Sequence, residues 1–128
     1  MRAVICQGTG DAKVLSLEEV AQPQLKPNEV LVNVKATALN RADILQRQGK
    51  YPPPEDASDI LGLEIAGIVE TVGDRKNEHW IGQRVMGLVS GGGYAEYCAI
   101  DADCLIPIPY GWDFAMAAAV PEVFLTAH

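Results

Sequence analysis

Few residues in this chain are of types that do chemistry, and their spacing excludes several chemistries at once. Cys6, Cys98 and Cys104 are widely separated and form no C-x-x-C pair, so neither a disulfide framework nor a zinc ribbon is signalled. Each cysteine is expected to serve as a small buried hydrophobe. The two histidines are His79, in a charged turn, and His128, the last residue. A catalytic metal needs about three convergent His, Cys or carboxylate ligands. No such set can be assembled, and no metal site is expected. Gly8-Thr9-Gly10-Asp11 begins like a dinucleotide fingerprint but lacks its third glycine, and strand-like sequence follows it. A hairpin turn is therefore expected there. Gly91-Gly92-Gly93 has neither a following Lys-Ser nor a helix, and reads as a turn rather than a phosphate cradle. Serine-nucleophile and zinc-protease motifs are missing.

Asn40, Asp43, Tyr51 and Glu64 remain, together with the elements that must position them. Asn40 can cap a short helix over residues 41–48, with Asp43 in the capping-box position. Tyr51 precedes three prolines that stiffen its loop. Asp43 and Glu64 adjoin apolar sequence, and ion pairs with Arg41 or Arg47 are expected for them rather than acid/base work.

Around these residues the pattern is of short strands at spacings that suit a barrel or sandwich. Strands are expected over residues 1–7, 14–20, 63–72, 84–89, 94–100 and 104–108. Val30, Val32 and Val34 alternate with Leu31, Asn33 and Lys35, the period of a half-buried strand. Gly67 suggests a bulge or a close backbone approach. The strands flanking Gly91-Gly92-Gly93 are expected to form a hairpin, with Tyr94 and Tyr97 packing on one face. Asp113 can cap a helix over 114–119, and Pro121 can open a second, over 122–128, with Glu122 in its first turn. That second pattern stops without a cap, so the chain is expected to be one end of a longer protein.

The composition bounds the function. The 128 residues suit one domain, with 48% apolar residues for its core. A net charge of −7 disfavours nucleic acid. The longest apolar run, residues 114–120, falls far short of the roughly 18 residues that cross a membrane. Nothing resembling a signal peptide precedes the first strand, so a cytoplasmic location is expected.

Longer strings carry a resemblance. Asn40-Arg41-Ala42-Asp43 is followed by Gln46-Arg47-Gln48-Gly49-Lys50-Tyr51-Pro52-Pro53-Pro54, then by Leu61-Gly62-Leu63-Glu64-Ile65-Ala66-Gly67. Gly91-Gly92-Gly93-Tyr94-Ala95-Glu96-Tyr97 and Ala117-Ala118-Ala119-Val120-Pro121-Glu122 come later. In this order, over essentially the whole chain, they resemble the N-terminal half of the zinc-free quinone oxidoreductases. These form the zeta-crystallin-like branch of the medium-chain dehydrogenase/reductase superfamily. The resemblance implies a mainly β fold, a GroES-like, partly open β-barrel with short helices, truncated before a Rossmann domain. It makes residues 1–120 the substrate-side catalytic domain and 121–128 the start of a helix leading to an absent nucleotide-binding domain.

The same resemblance implies NADP(H) as cofactor, no zinc, and a small-molecule quinone as substrate. Zinc alcohol dehydrogenases carry cysteine where this chain has Asn40 and histidine where it has Leu63; neither replacement can serve as a zinc ligand. Without a Lewis acid the acceptor must already be electrophilic, as quinones and conjugated enones are. Asn40 and Tyr51 are the implied catalytic residues, Asn40 donating to a quinone oxygen or to the nicotinamide and Tyr51 hydrogen-bonding or giving a proton. Asn40, Ile44, Tyr51 and Thr126 are the implied cofactor contacts, with Ile44 as an apolar wall. An enoyl reductase of the same superfamily, or a stand-alone GroES-like binding barrel, are the alternatives. Full-length relatives dimerise largely through the nucleotide-binding domain, which suggests a homodimer there and leaves the state of these residues open. Lacking that domain, the 128 residues alone are expected to be inactive.

Overall fold

The computed structural model describes residues 1–52, 55 and 57–122. β1 (Arg2–Cys6) and β2 (Leu15–Glu19) form an antiparallel pair with Val4 opposite Leu17. The link between them is the expected turn, in which Asp11 caps a single 3-10 turn, Ala12–Val14, by accepting from the Lys13 N–H at 2.9 Å. No α-helix follows the two glycines, only this one 3-10 turn, so no α-helix start is there to face a pyrophosphate.

The main sheet has five strands, all antiparallel, in the order β6-β3-β4-β5-β7. They are β3 (Glu29–Thr37), β4 (Glu64–Val72), β5 (Arg84–Leu88), β6 (Tyr97–Asp101) and β7 (Ile106–Pro107). The two sheets remain separate, which is the partly open, mainly β GroES-like arrangement expected. They are stitched by a bridge between Ala3 and Ala95 and by the Val4 N–H donating to the Tyr94 carbonyl at 2.9 Å.

The core forms from alternate residues of the inner strands. Val30 and Val32 meet Ile65, Val69, Val85, Cys98 and Ile100 on one face of the sheet. Each large aliphatic side chain so buried contributes about 1.5–3 kcal/mol relative to exposure. On the other face, Ala66 and Met86 receive Ala117 and Ala118 of α2 (Phe114–Ala118). Small side chains at that contact let the helix sit close to the sheet. Asp113 caps α2 as expected, accepting from the Met116 N–H at 2.7 Å. Arg84 lies 4.7 Å from the centre of the Phe114 ring and adds a cation–π contact.

Three expectations fail. Val30, Leu31 and Val32 are all buried, so β3 is not half-buried along its length. Over residues 30–32 it is an inner strand, hydrogen-bonded on both edges and covered on both faces, whereas Lys35 further along is exposed as the alternation implies. β5 and β6 are not a hairpin, since β4 and β3 stand between them. The glycine run instead packs against the segment before β4. Gly92 and Tyr94 donate to the carbonyls of Ile60 and Leu61 at 2.7 and 2.9 Å. A Cβ on Gly62 would stand 2.7 Å from the Gly93 Cα, so this approach requires glycine. Finally, Cys98 is buried but Cys104 is exposed, and only Cys98 fills the hydrophobic role expected of all three.

Gly67 does mark a close approach. β3 shifts register opposite it, between Val34 and Ala36, and a Cβ there would collide with the Asn33 carbonyl oxygen.

Candidate functional site

α1 (Arg41–Arg47) follows β3 after a three-residue junction that ends at Asn40. Asn40 is extended, with φ −126° and ψ 153°, as a residue entering a helix must be. Its backbone N–H donates to Asp43 Oδ2 at 2.9 Å, the carboxylate half of a capping box. Its carboxamide makes no cap hydrogen bond. The Nδ2 donates instead to Glu64 Oε1 at 3.1 Å, linking the helix start to the first residue of β4.

Glu64 is 1% exposed and has no cationic partner among the described residues. Hydrogen bonds replace one. Beyond Asn40, its Oε2 accepts from the backbone N–H of Glu122 at 2.7 Å, and its carbonyl accepts from Thr37 Oγ1 at 2.7 Å. Asp43 is 4% exposed, and its Oδ2 also accepts from the Tyr94 hydroxyl. Its Oδ1 is buried without a hydrogen-bond partner among the described residues. Burial first, then the bond to Asp43 and the charges of Asp43 and Glu64, push the Tyr94 hydroxyl well above the usual phenol range.

The ion pairs expected for these carboxylates are not formed. Arg47 Nε donates to the Gly10 carbonyl at 3.2 Å, tying α1 to the β1–β2 turn. Asp43 and Glu64 thus hold neutral donors, and the shared donor residue is Asn40. Nor do Tyr94 and Tyr97 pack as a pair. Three residues apart, they cannot share a strand face, and only Tyr97 lies in β6. Tyr94 precedes that strand, and its hydroxyl reaches α1. Sequence reasoning assigned it to packing; the one signal for another role was the glycine run beside it, which frees its backbone from a regular ladder.

The other expected site residues are placed less tightly. Ile44, on α1, is 42% exposed, and Tyr51, after the helix, is 46% exposed. No hydrogen bond joins Tyr51 to Asn40 among the described residues. Thr126 lies outside the described residues. An apolar groove of about 480 Å³ opens beside the network, lined by Val4, Leu15, Val34, Thr37, Leu39 and Tyr94 among others. Leu39, next to Asn40, is 85% exposed. A larger cleft of about 540 Å³ is lined by neither Asn40 nor its partners. Among the described residues no three His, Cys, Asp or Glu side chains converge as a metal site, and no helix is long and apolar enough to cross a membrane.

Comparisons with known proteins agree with this architecture. The alcohol dehydrogenase GroES-like domain family matches residues 26–110. The mouse synaptic vesicle membrane protein VAT-1 homolog-like is 37% identical over 128 residues, covering 100% of this chain but 31% of that protein. A quinone oxidoreductase structure from Coxiella burnetii superposes with a TM-score of 0.88 at 30% identity, over 99% of this chain and 43% of that one. A quinone oxidoreductase from Thermus thermophilus, solved also in complex with NADPH, gives a TM-score of 0.80 at 35% identity, over 99% and 39%. The chain thus spans about a third of the length of the curated VAT-1-like relative it matches. The chain belongs to the alcohol dehydrogenase GroES-like domain family, within the medium-chain dehydrogenase/reductase superfamily of oxidoreductases.

Proposed function

We propose that residues 1–120 form the substrate-side domain of an NADPH-dependent, zinc-independent quinone oxidoreductase, with 121–128 leading into a nucleotide-binding domain. The observation that carries this reading is the Asn40 carboxamide, held at the strand-to-helix junction by a buried carboxylate at 3.1 Å. Zinc relatives have a cysteine ligand at this position, whereas here an amide N–H already donates to Glu64. Leu63, at the second ligand position, offers no donor atom. This set does not fit zinc.

The donor chemistry does fit a nicotinamide and a conjugated acceptor. Asn40 offers a carboxamide oriented by Glu64, Ile44 an exposed apolar edge and Tyr51 an exposed phenol. These residues, with Thr126, would hold the cofactor, and when bound NADPH would supply the hydride. With no Lewis acid, hydrogen bonds from Asn40 and Tyr51 are the means of polarising an acceptor. That suits a quinone, whose ring is already electrophilic. The names of the Coxiella and Thermus structures support the substrate, and the Thermus complex supports the cofactor.

NADPH oxidation by the full-length protein with ortho-quinones and with enoyl thioesters tests the reading. Turnover of quinones is expected. Activity confined to enoyl thioesters would overturn it in favour of an enoyl reductase.

A further inference from the structure

We propose that Glu64 is a positioning residue: its buried carboxylate sets the rotation of the Asn40 carboxamide and ties it to the backbone at Glu122. The inference rests on the reading above, in which Asn40 contacts the ligand.

The argument begins with valence. A carboxylate accepts and an amide nitrogen donates, so a bond between Asn40 and Glu64 sends Nδ2 toward Glu64 and leaves Oδ1 facing away from it. A free asparagine side chain turns about its terminal torsion over a broad, roughly two-fold well. Here Glu64 restricts that torsion directly, while Asp43 fixes the backbone that carries it. Asp43 Oδ2 holds the backbone N–H of Asn40 at 2.9 Å, and Glu64 Oε1 holds the side chain at 3.1 Å.

Glu64 is itself held on several sides. It is 1% exposed, its carbonyl accepts from Thr37, and its second carboxylate oxygen accepts from the Glu122 N–H at 2.7 Å. No Arg, Lys or His pairs with it among the described residues, so an ion-pair role does not account for its burial. Its two oxygens serve two donors on different segments, one at the start of α1 and one just past Pro121. The orientation of the Asn40 amide is therefore coupled to the placement of the chain at Glu122. A ligand meeting Asn40 finds Oδ1 and the remaining N–H already oriented, so the ordering cost falls at folding rather than at binding.

Glu64→Gln is nearly isosteric but has one carboxamide oxygen. The shorter bond, from the Glu122 N–H at 2.7 Å, keeps that oxygen, so the new amide nitrogen faces Asn40 Nδ2 and the 3.1 Å bond is the one lost. Two readouts in the full-length protein test the proposal. In the ligand-free protein, the Asn40 side-chain amide pair, identified by its loss in Asn40→Ala, should resonate away from the solvent-exposed asparagines. It should move toward them in Glu64→Gln and return in part in Glu64→Asp. An amide pair that is the same in the wild type and Glu64→Gln overturns the proposal.

With a quinone and NADPH, Glu64→Gln should lower kcat/KM on the order of ten-fold in the wild-type background and less than about two-fold in Asn40→Ala. Equal losses in both backgrounds would make Glu64 merely structural and overturn the proposal. Should Asn40→Ala leave NADPH affinity and turnover intact, the functional reading fails, and the ligand-free amide spectrum still judges the positioning. If Glu64→Gln does not fold, the same spectrum and kinetics are read in Glu64→Asp, which keeps the charge but shortens its reach.

Discussion

The Asn40 amide nitrogen and the Glu64 carboxylate meet at 3.1 Å across 24 residues of sequence, joining the start of a helix to the start of a strand. Neither residue needs the other by its local sequence alone. Asn40 could cap its helix alone, and Glu64 would be cheaper to keep in water. Together with Asp43 and Tyr94 they make a partly buried polar cluster, with the two carboxylates at its buried side, held by hydrogen bonds instead of ion pairs.

Asn40→Ala removes the carboxamide and leaves Glu64 Oε1 without its donor. A destabilisation of about 1–3 kcal/mol is expected for a buried acceptor left unpaired. Quinone-dependent NADPH oxidation by the full-length protein should fall at least about ten-fold as the polarising donor is lost. Denaturant titration and steady-state kinetics read the two effects separately.

Tyr94→Phe should cost about 1–3 kcal/mol near neutral pH, because Asp43 loses a donor while its Oδ1 already lacks one. The folded phenol is raised above its ordinary range, so its contribution is complete below the unfolded value of about 10 and declines as pH rises beyond it. The alkaline loss of stability should therefore be shallower in the variant. Melting temperatures taken from pH 7 to 11 check this, and parallel curves would count against it.

Ala117→Leu should destabilise by about 1–3 kcal/mol, since Ala117 is fully buried where α2 meets Ala66 and Met86. Met116→Ala, on the same helix but 51% exposed, should stay within about 0.5 kcal/mol. Urea midpoints of the two variants should separate clearly.

The cysteines should differ in reactivity. Burial, with a smaller effect from Glu29, pushes the Cys98 thiol up to about 12, whereas Cys104 is exposed despite a raised value. A thiol reagent at pH 8 should modify Cys104 in the native protein and reach Cys98 only on unfolding. Peptide mapping of the labelled chain distinguishes them, and rapid native labelling of Cys98 would contradict the packing.

The sequence alone determined most of what is local. Gly8-Thr9-Gly10-Asp11 makes a turn because glycine and a self-capping aspartate suit one, and Asp113 caps α2 because its carboxylate reaches the Met116 N–H. The string Asn40-Arg41-Ala42-Asp43 announced both a helix start and a family. These signals act over three or four residues, within reach of one side chain. Strand pairing does not. Which strand neighbours β5 depends on partners far apart in the chain, and the glycine run that resembled a hairpin turn was needed for close approach to Gly62. The site divides in the same way. Asn40 was legible as a junction residue, but the partners of Asp43 and Glu64 were not. A buried carboxylate takes whatever donors the fold brings to it, and only the tertiary structure decided that these were an asparagine, a tyrosine and a backbone N–H rather than arginines.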